Sequence, residues 1–102
     1  MNNRLSLHEE LKAVIGNNHV YFQPPDNIRM VYPCIVYSKL HVDTKYADNI
    51  AYHSMKSYEV TFITRDPDND YVEQMLSNFK YCRYDRQFIN DNLYHDVFTL
   101  YY

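Results

Sequence analysis

Three aspartates at alternate positions are the first candidates for metal chemistry in this 102-residue sequence. Asp66, Asp68 and Asp70 stand where a calcium-binding loop carries its first three ligands. That loop also needs glycine at its sixth position and a bidentate glutamate at its twelfth, where this sequence has Tyr71 and Ser77. The three acids therefore indicate the end of a strand and the beginning of a helix, whose dipole they complement.

The five histidines stand in five different local settings, and none has a tight ligand spacing such as HExxH. His41 with Asp43, and His53 across the same predicted hairpin, form the group that could converge on a metal ion. Exposed loop histidines are the better interpretation, so no metal is expected. His95 and Asp96 are adjacent on a predicted strand, so their side chains point to opposite faces and form no simple relay.

Nucleophilic catalysis has little support in the sequence. Cys34 and Cys82 are far apart, without CxxC spacing, and the absence of an apolar signal core after Met1 favours free thiols over a disulfide. A chain with the single glycine Gly16 offers neither a nucleophile elbow nor a glycine-rich phosphate cradle. We expect no enzyme activity and no cofactor.

A short aromatic and basic segment is the candidate for nucleic-acid binding. Arg83 and Arg86 stand beside Tyr81 and Tyr84, a composition that suits single-stranded nucleic acid. Asp85 lies between the two arginines, and ten Lys and Arg against 13 Asp and Glu give a net charge of -3. Since an acidic protein repels phosphate, a solvated strand with internal salt bridges is the better interpretation.

Length and composition predict one α+β domain covering residues 1–102. A mean hydropathy of -0.58, without an apolar run near the roughly 18 residues that a membrane helix needs, indicates no membrane span. Apolar periodicity and turn residues predict a helix at 6–15, with Ser6 and Glu9 at the spacing of a capping box, and a second helix at 69–79. The predicted strands are Val20–Phe22, Tyr32–Leu40, Tyr58–Thr64, Tyr81–Ile89 and Leu93–Tyr102, with a long polar hairpin at 41–57.

The predicted fold is an antiparallel four- to five-stranded sheet with two helices on one face, in the order α-β-β-β-α-β-β. Such a sheet is about 19 to 24 Å wide, and two helices of about 10 Å each cover one face of it. The other face is rich in tyrosine, a residue type enriched at protein interfaces. We therefore expect another polypeptide to cover part of it, with Tyr37 and Tyr101 as candidate contact residues. A solvated sheet whose tyrosine hydroxyls reach water is the alternative.

One residue disagrees with the predicted core. Asp96 has the same parity as Phe98 and Leu100, which should face the helices. The strand leaves the core at Asp96, or an arginine pairs with the carboxylate; the sequence leaves both interpretations open.

Six segments together carry a resemblance to a known family. They are VYFQPP at 20–25, YPCIVY at 32–37, DTKYADN at 43–49, YEVTFITRDPD at 58–68, YCRYDR at 81–86 and DNLYHDVFTLYY at 91–102. In this order they resemble small neck proteins of long-tailed bacteriophages, and more narrowly the tail-terminator or tail-completion group of minor structural proteins.

The resemblance implies two helices on an antiparallel sheet and a homo-oligomer, a hexameric ring in the virion that is assembled in the host cytoplasm. The ring would cap the tail tube and dock onto the head connector or adaptor proteins, with no enzyme activity and no membrane. DNA would be only passing cargo, which an acidic lumen would suit.

The hairpin at 41–57 is then the candidate for contact with a neighbouring ring, because loops on a rigid sheet commonly carry recognition. Its predicted tip residues are Tyr46, Asp48, Asn49 and Tyr52. A hairpin end without fixed structure is the alternative. Two other functions also fit the chain: a head-closure or adaptor ring of the same neck, and a small monomeric regulatory binding protein.

Overall fold

The computed structural model describes residues 3–40 and 56–102, which form an α+β fold with two helices and a five-stranded sheet, as predicted. The helices are α1 (Arg4–Ile15) and α2 (Tyr71–Asn78). The strands are β1 (Val20–Phe22), β2 (Cys34–Lys39), β3 (Ser57–Thr64), β4 (Cys82–Asn90) and β5 (Leu93–Tyr101). No helix in these two ranges is long and apolar enough to cross a membrane.

Helix α1 begins two residues before the predicted position because its N-cap is Asn3. The Asn3 side chain accepts a hydrogen bond from the backbone N–H of Ser6 at 2.8 Å, so Ser6 lies inside the first turn and is not the cap. At the other end Gly16 has a φ of 80°, and its N–H donates to the carbonyl of Lys12. This left-handed residue ends the helix where the sequence predicts.

Helix α2 is shorter than the predicted 69–79, and its start is organised by an asparagine as well as by acids. The Asn69 side chain accepts from the backbone N–H of Tyr71 at 3.1 Å and donates to the carbonyl of Asp66 at 2.9 Å. The Asp66 side chain accepts from the N–H of Asp68. The aspartates thus belong to the turn between β3 and α2, as the sequence indicates.

The sheet is mixed, which corrects the prediction of an antiparallel sheet. The strand order is β1-β2-β3-β5-β4, and β1 runs parallel to β2 while the other neighbours are antiparallel. The physical reason is the connection at 23–33, which contains Pro24 and Pro25 and is too long for a tight hairpin. It returns to the starting end of the sheet, as a parallel pair requires.

One main core lies between the helices and the sheet. Leu7, Leu11 and Ile15 of α1 and Met75 of α2 pack in it against alternate side chains of the strands. The strand residues that face the helices in this core are Val20, Ile35, Tyr37, Tyr58, Val60, Phe62, Phe98 and Leu100. Both helices thus cover the same face; the opposite side is called the open face below.

The connection at 23–33 covers part of the open face. Met30 and Tyr32 pack against a second, smaller cluster formed by Cys34, Ile63 and Leu93. This corner of the open face is therefore not available to another polypeptide. The chain covers the corner with its own loop, and exposed aromatic residues remain at the β4 and β5 side, among them Phe88 at 40% and Tyr101 at 37% exposure.

Tyr37 lies in the main core and is 1% exposed, so its prediction as a surface contact is wrong. Its ring packs against Phe22 and Tyr58. Its hydroxyl lies 2.7 Å from Nδ1 of His8 and accepts from Arg4 at 3.5 Å. Because the hydroxyl oxygen accepts from Arg4, its proton is available to donate to a neutral His8 ring.

This contact predicts a specific pH dependence of stability. Burial, then the positive charges of Lys12 and Arg4, lowers the pKa of His8 from 6.5. A histidine with a lowered pKa contributes stability that is complete above pH 6.5 and declines as the pH falls toward the lower folded-state pKa. Urea unfolding at pH 7.5 and 5.5 should show a larger loss for the wild type than for His8→Gln. Equal losses in the two proteins would contradict this role of His8.

Candidate assembly surface

The predicted contact residues fall into three groups. Tyr37 is buried, as described above. Tyr101 is 37% exposed and stands on the open face of β5, where a contact surface is expected. Tyr46, Asp48, Asn49 and Tyr52 lie outside the described residues.

Strand β4 is the most exposed element of the sheet. Every residue from Arg83 to Asn90 is exposed, and the apolar side chains among them include Phe88 at 40% and Ile89 at 63%. The strand stands at the end of the sheet order, and no described residue pairs with its outer side. An edge strand with exposed apolar residues is a ready template for another chain.

Two side chains form an aromatic pair across β4 and β5 on the open face. The rings of Phe88 and His95 lie 4.5 Å apart with an interplanar angle of 13°, and the two residues are direct partners in the sheet register. The guanidinium of Arg86 lies 5.7 Å from the centre of the Phe88 ring. The group presents a flat aromatic surface beside an exposed positive charge.

A charged group follows along the same strand. Arg83 donates to Asp85 at 2.8 Å, and the Thr99 hydroxyl donates to the other oxygen of Asp85 at 2.6 Å. Partial burial raises the pKa of Asp85, but the hydrogen bonds from Thr99 and Arg83 and the charges of Arg83 and Arg86 outweigh it. The pKa is therefore below its ordinary value, and Asp85 is a carboxylate at neutral pH.

Asp85 lies at an irregularity in the strand. Tyr84 is the partner of Phe98 and Arg86 is the partner of Val97, so Asp85 is an extra residue in β4. Such a β-bulge bends and twists an edge strand. Here it brings Asp85, Arg83 and Arg86 to the open face together.

The buried Asp96 is explained by β4. It is 1% exposed on the helix-facing side, and its Oδ1 accepts from the Tyr84 hydroxyl at 2.9 Å and from the Gln87 amide at 3.0 Å. The strand does not leave the core here, and the partners that the structure gives are a hydroxyl and an amide. Desolvation, followed by this hydrogen bond and the charge of Asp96, raises the pKa of Tyr84 to about 12.

A second polar contact ties the last described residue to helix α1. The hydroxyl of Tyr102 donates to the carboxylate of Glu10, and the Tyr102 ring packs edge-on against Phe79. Burial, followed by the hydrogen bond to Glu10 and its charge, raises the pKa of Tyr102 to about 12. An open groove of about 320 Å³ lies beside this contact and is lined by Glu10, Phe79, Lys80 and Tyr102 among others.

Neither cysteine is poised as a nucleophile. Both are free, and burial raises the pKa of Cys34 and of Cys82 to about 11, so their thiols are protonated at neutral pH. Within residues 3–40 and 56–102, no three His, Cys, Asp or Glu side chains are close enough to hold a metal ion. The proposed convergence of His41, Asp43 and His53 lies outside those ranges.

Sequence reasoning predicted the position of β4 but not its exposure. The signal was present: Tyr84, Phe88 and Ile89 put apolar side chains on both faces, although charged residues alternate with them. A strand of that kind at the end of a sheet leaves apolar residues uncovered on both sides. No family model, no curated protein and no solved structure matches the chain.

The free energy of unfolding of variants tests the contact of Asp96 with β4. Asp96→Ala should lower the free energy of unfolding by about 2 kcal/mol, because two hydrogen bonds within a buried site are lost. Tyr84→Phe removes one of them and should cost about 1 kcal/mol. Asp96→Asn keeps an acceptor oxygen and should cost less than Asp96→Ala. Urea unfolding followed by far-UV circular dichroism measures all three, and an unchanged midpoint for Asp96→Ala would contradict the assignment.

Proposed function

We propose that this chain is a non-enzymatic structural protein of a bacteriophage virion, a tail terminator. Copies of it form a ring, with six as the expected number, that caps the tail tube and joins it to the head connector. The proposal begins from the six segments that resemble such neck proteins. Two helices on one face of a sheet agree with the fold that this resemblance implies, although the sheet is mixed where the resemblance implies an antiparallel one.

The observation that carries the proposal is the uncovered side of the sheet at β4 and β5. Phe88 and Tyr101 are exposed there, next to the charged residues Arg83 and Arg86. Large apolar and aromatic side chains mixed with arginine are typical of protein interfaces. An assembly protein uses such a surface for its neighbours, whereas a monomer gains nothing from leaving it uncovered.

The overall charge agrees with a ring through which DNA passes. The chain has a net charge of -3, and negative charge repels phosphate. In the proposed ring DNA is cargo and not a bound partner. A basic lumen in the assembled ring would contradict this part of the proposal.

The direct test is the position of the protein in the virion. A cryo-electron microscopy map of the particle should place a ring of this fold between the head connector and the end of the tail tube. Particles made without the protein should contain tails of irregular length that are not joined to heads. A position elsewhere, or normal joined tails in its absence, would contradict the proposal.

A purified chain that remains at its single-chain mass of 12.4 kDa, alone and with tube and connector proteins, would favour a regulatory binding protein.

The predicted hairpin tip gives a separate test. Changing Tyr46, Asp48, Asn49 and Tyr52 together to alanine should reduce the fraction of tails joined to heads, because loops commonly provide such contacts. A matched variant changes two exposed loop residues elsewhere, Asp26 and Asn27, to alanine. Electron microscopy of the particles provides the count, and circular dichroism checks that both variants fold. Normal joining with the four-residue variant would remove the hairpin from the docking surface.

A further inference from the structure

The backbone groups on the outer side of β4 can be assigned from its pairing with β5. The N–H of Tyr101 donates to the carbonyl of Tyr81, so Tyr81 directs its backbone groups toward β5. In an antiparallel ladder successive residues alternate, so Cys82 and Tyr84 direct theirs outward. The assignment on the other side of the bulge follows from the turn that ends the strand.

That turn is a two-residue hairpin loop. Asp91 and Asn92 have φ values of 53° and 63°, the pattern of a type I′ turn, and Asn90 is the partner of Leu93. The closing pair of such a hairpin is hydrogen-bonded, so Asn90 faces β5. Counting back along the strand, Ile89 and Gln87 direct their backbone groups outward.

The outward residues are symmetrical about the bulge. Two of them, Cys82 and Tyr84, precede it and two, Gln87 and Ile89, follow it. Suppose that a second copy of β4 runs antiparallel to the first. In one register, each of these four residues lies opposite an outward residue of the second copy. It pairs Tyr84 with Gln87 and Cys82 with Ile89. In both strands the extra residue Asp85 lies at the centre of this pairing. The two bulges therefore do not shift the register.

The same register is complementary in charge. It places Arg86 opposite Asp85 of the second copy, and by symmetry Asp85 opposite its Arg86. Among the described residues Arg86 makes no salt bridge within its own chain. A shift of the pairing by one residue in either direction puts Asp85 opposite Asp85, or Arg86 opposite Arg86. Since like charges directly opposite destabilise a sheet, one register is favoured.

The remaining pair on the open face also fits. Arg83 lies opposite Phe88 of the second copy, an arrangement that suits a contact between a guanidinium and an aromatic ring. Both residues are exposed in the single chain, Arg83 with 74% of its side chain accessible and Phe88 at 40%.

We propose that free copies of this protein pair through the outer edge of β4, antiparallel and about a two-fold axis, as a dimer with a ten-stranded sheet. The occupant of the edge is a second copy, and the complementary charges at Asp85 and Arg86 set the register. The pairing covers a strand that otherwise invites aggregation. It goes beyond the ring proposed above, because it describes the free protein before any assembly on a tail.

A charge-exchange experiment tests the pairing. Sedimentation equilibrium of the wild type should show a reversible monomer–dimer association. Arg86→Asp and Asp85→Arg, each alone, place like charges opposite each other and should weaken association by about tenfold or more. An equimolar mixture of the two variants restores opposite charges and should form mixed dimers, which native mass spectrometry identifies by mass. Arg29→Asp, an exposed loop change of the same kind, should leave association unchanged.

Asp85→Arg also loses the contacts of Asp85 with Arg83 and Thr99 within its own chain. A variant that acts through the backbone therefore provides a second test. Ile89→Pro removes an outward N–H and should weaken association, while the pairing of β4 with β5 is kept. A wild type that stays monomeric at all concentrations would overturn the inference. Single variants that associate like the wild type, or a mixture that forms no mixed dimers, would also overturn it. A larger ring that forms regardless of these changes would overturn the dimer and leave the proposed function standing.

Discussion

The fold depends on burying one face of the sheet under two short helices. Leu7, Leu11 and Ile15 of α1 and Met75 of α2 are nearly or fully buried against the central strands. Two aromatic residues at the centre of that layer, Phe62 and Phe98, pack edge-to-face at 5.7 Å. Because both helices lie on this face, the open face has to find cover in another way. One end uses a loop of the same chain, and the other end is exposed.

The element types and most of their bounds could be predicted from the sequence because local signals are strong there. Gly16 ends α1, and alternation in Tyr58–Thr64 marks β3. The parallel pairing of β1 could not be predicted, since it depends on the path of the connection at 23–33 and not on the strand residues. The N-cap at Asn3 was missed because Ser6 and Glu9 offer a competing capping pattern only a few residues further on.

The sequence predicted an uncovered part of the sheet but not which strand would be most exposed. The width of the sheet against two helices predicted an uncovered face rich in tyrosine, and Tyr37 was assigned to it. In the structure both sides of β2 are covered, one by α1 and one by the connection at 23–33. The uncovered residues are in β4, where alternating charges hide the apolar pattern. Asp96 could be explained only once its partners Tyr84 and Gln87 on the neighbouring strand were known.

The position of β5 between β3 and β4 has a consequence for how the chain folds. The β4–β5 hairpin has low contact order and needs only the Asp91–Asn92 turn to form. The pairing of β3 with β5, in contrast, joins residues as distant in sequence as Ser57 and Tyr101. Closing that long loop is the slower event, so the hairpin is expected to be complete before it docks. We therefore expect the finished hairpin to dock on β3 through β5, and Phe98 and Leu100 to join the main core at that step.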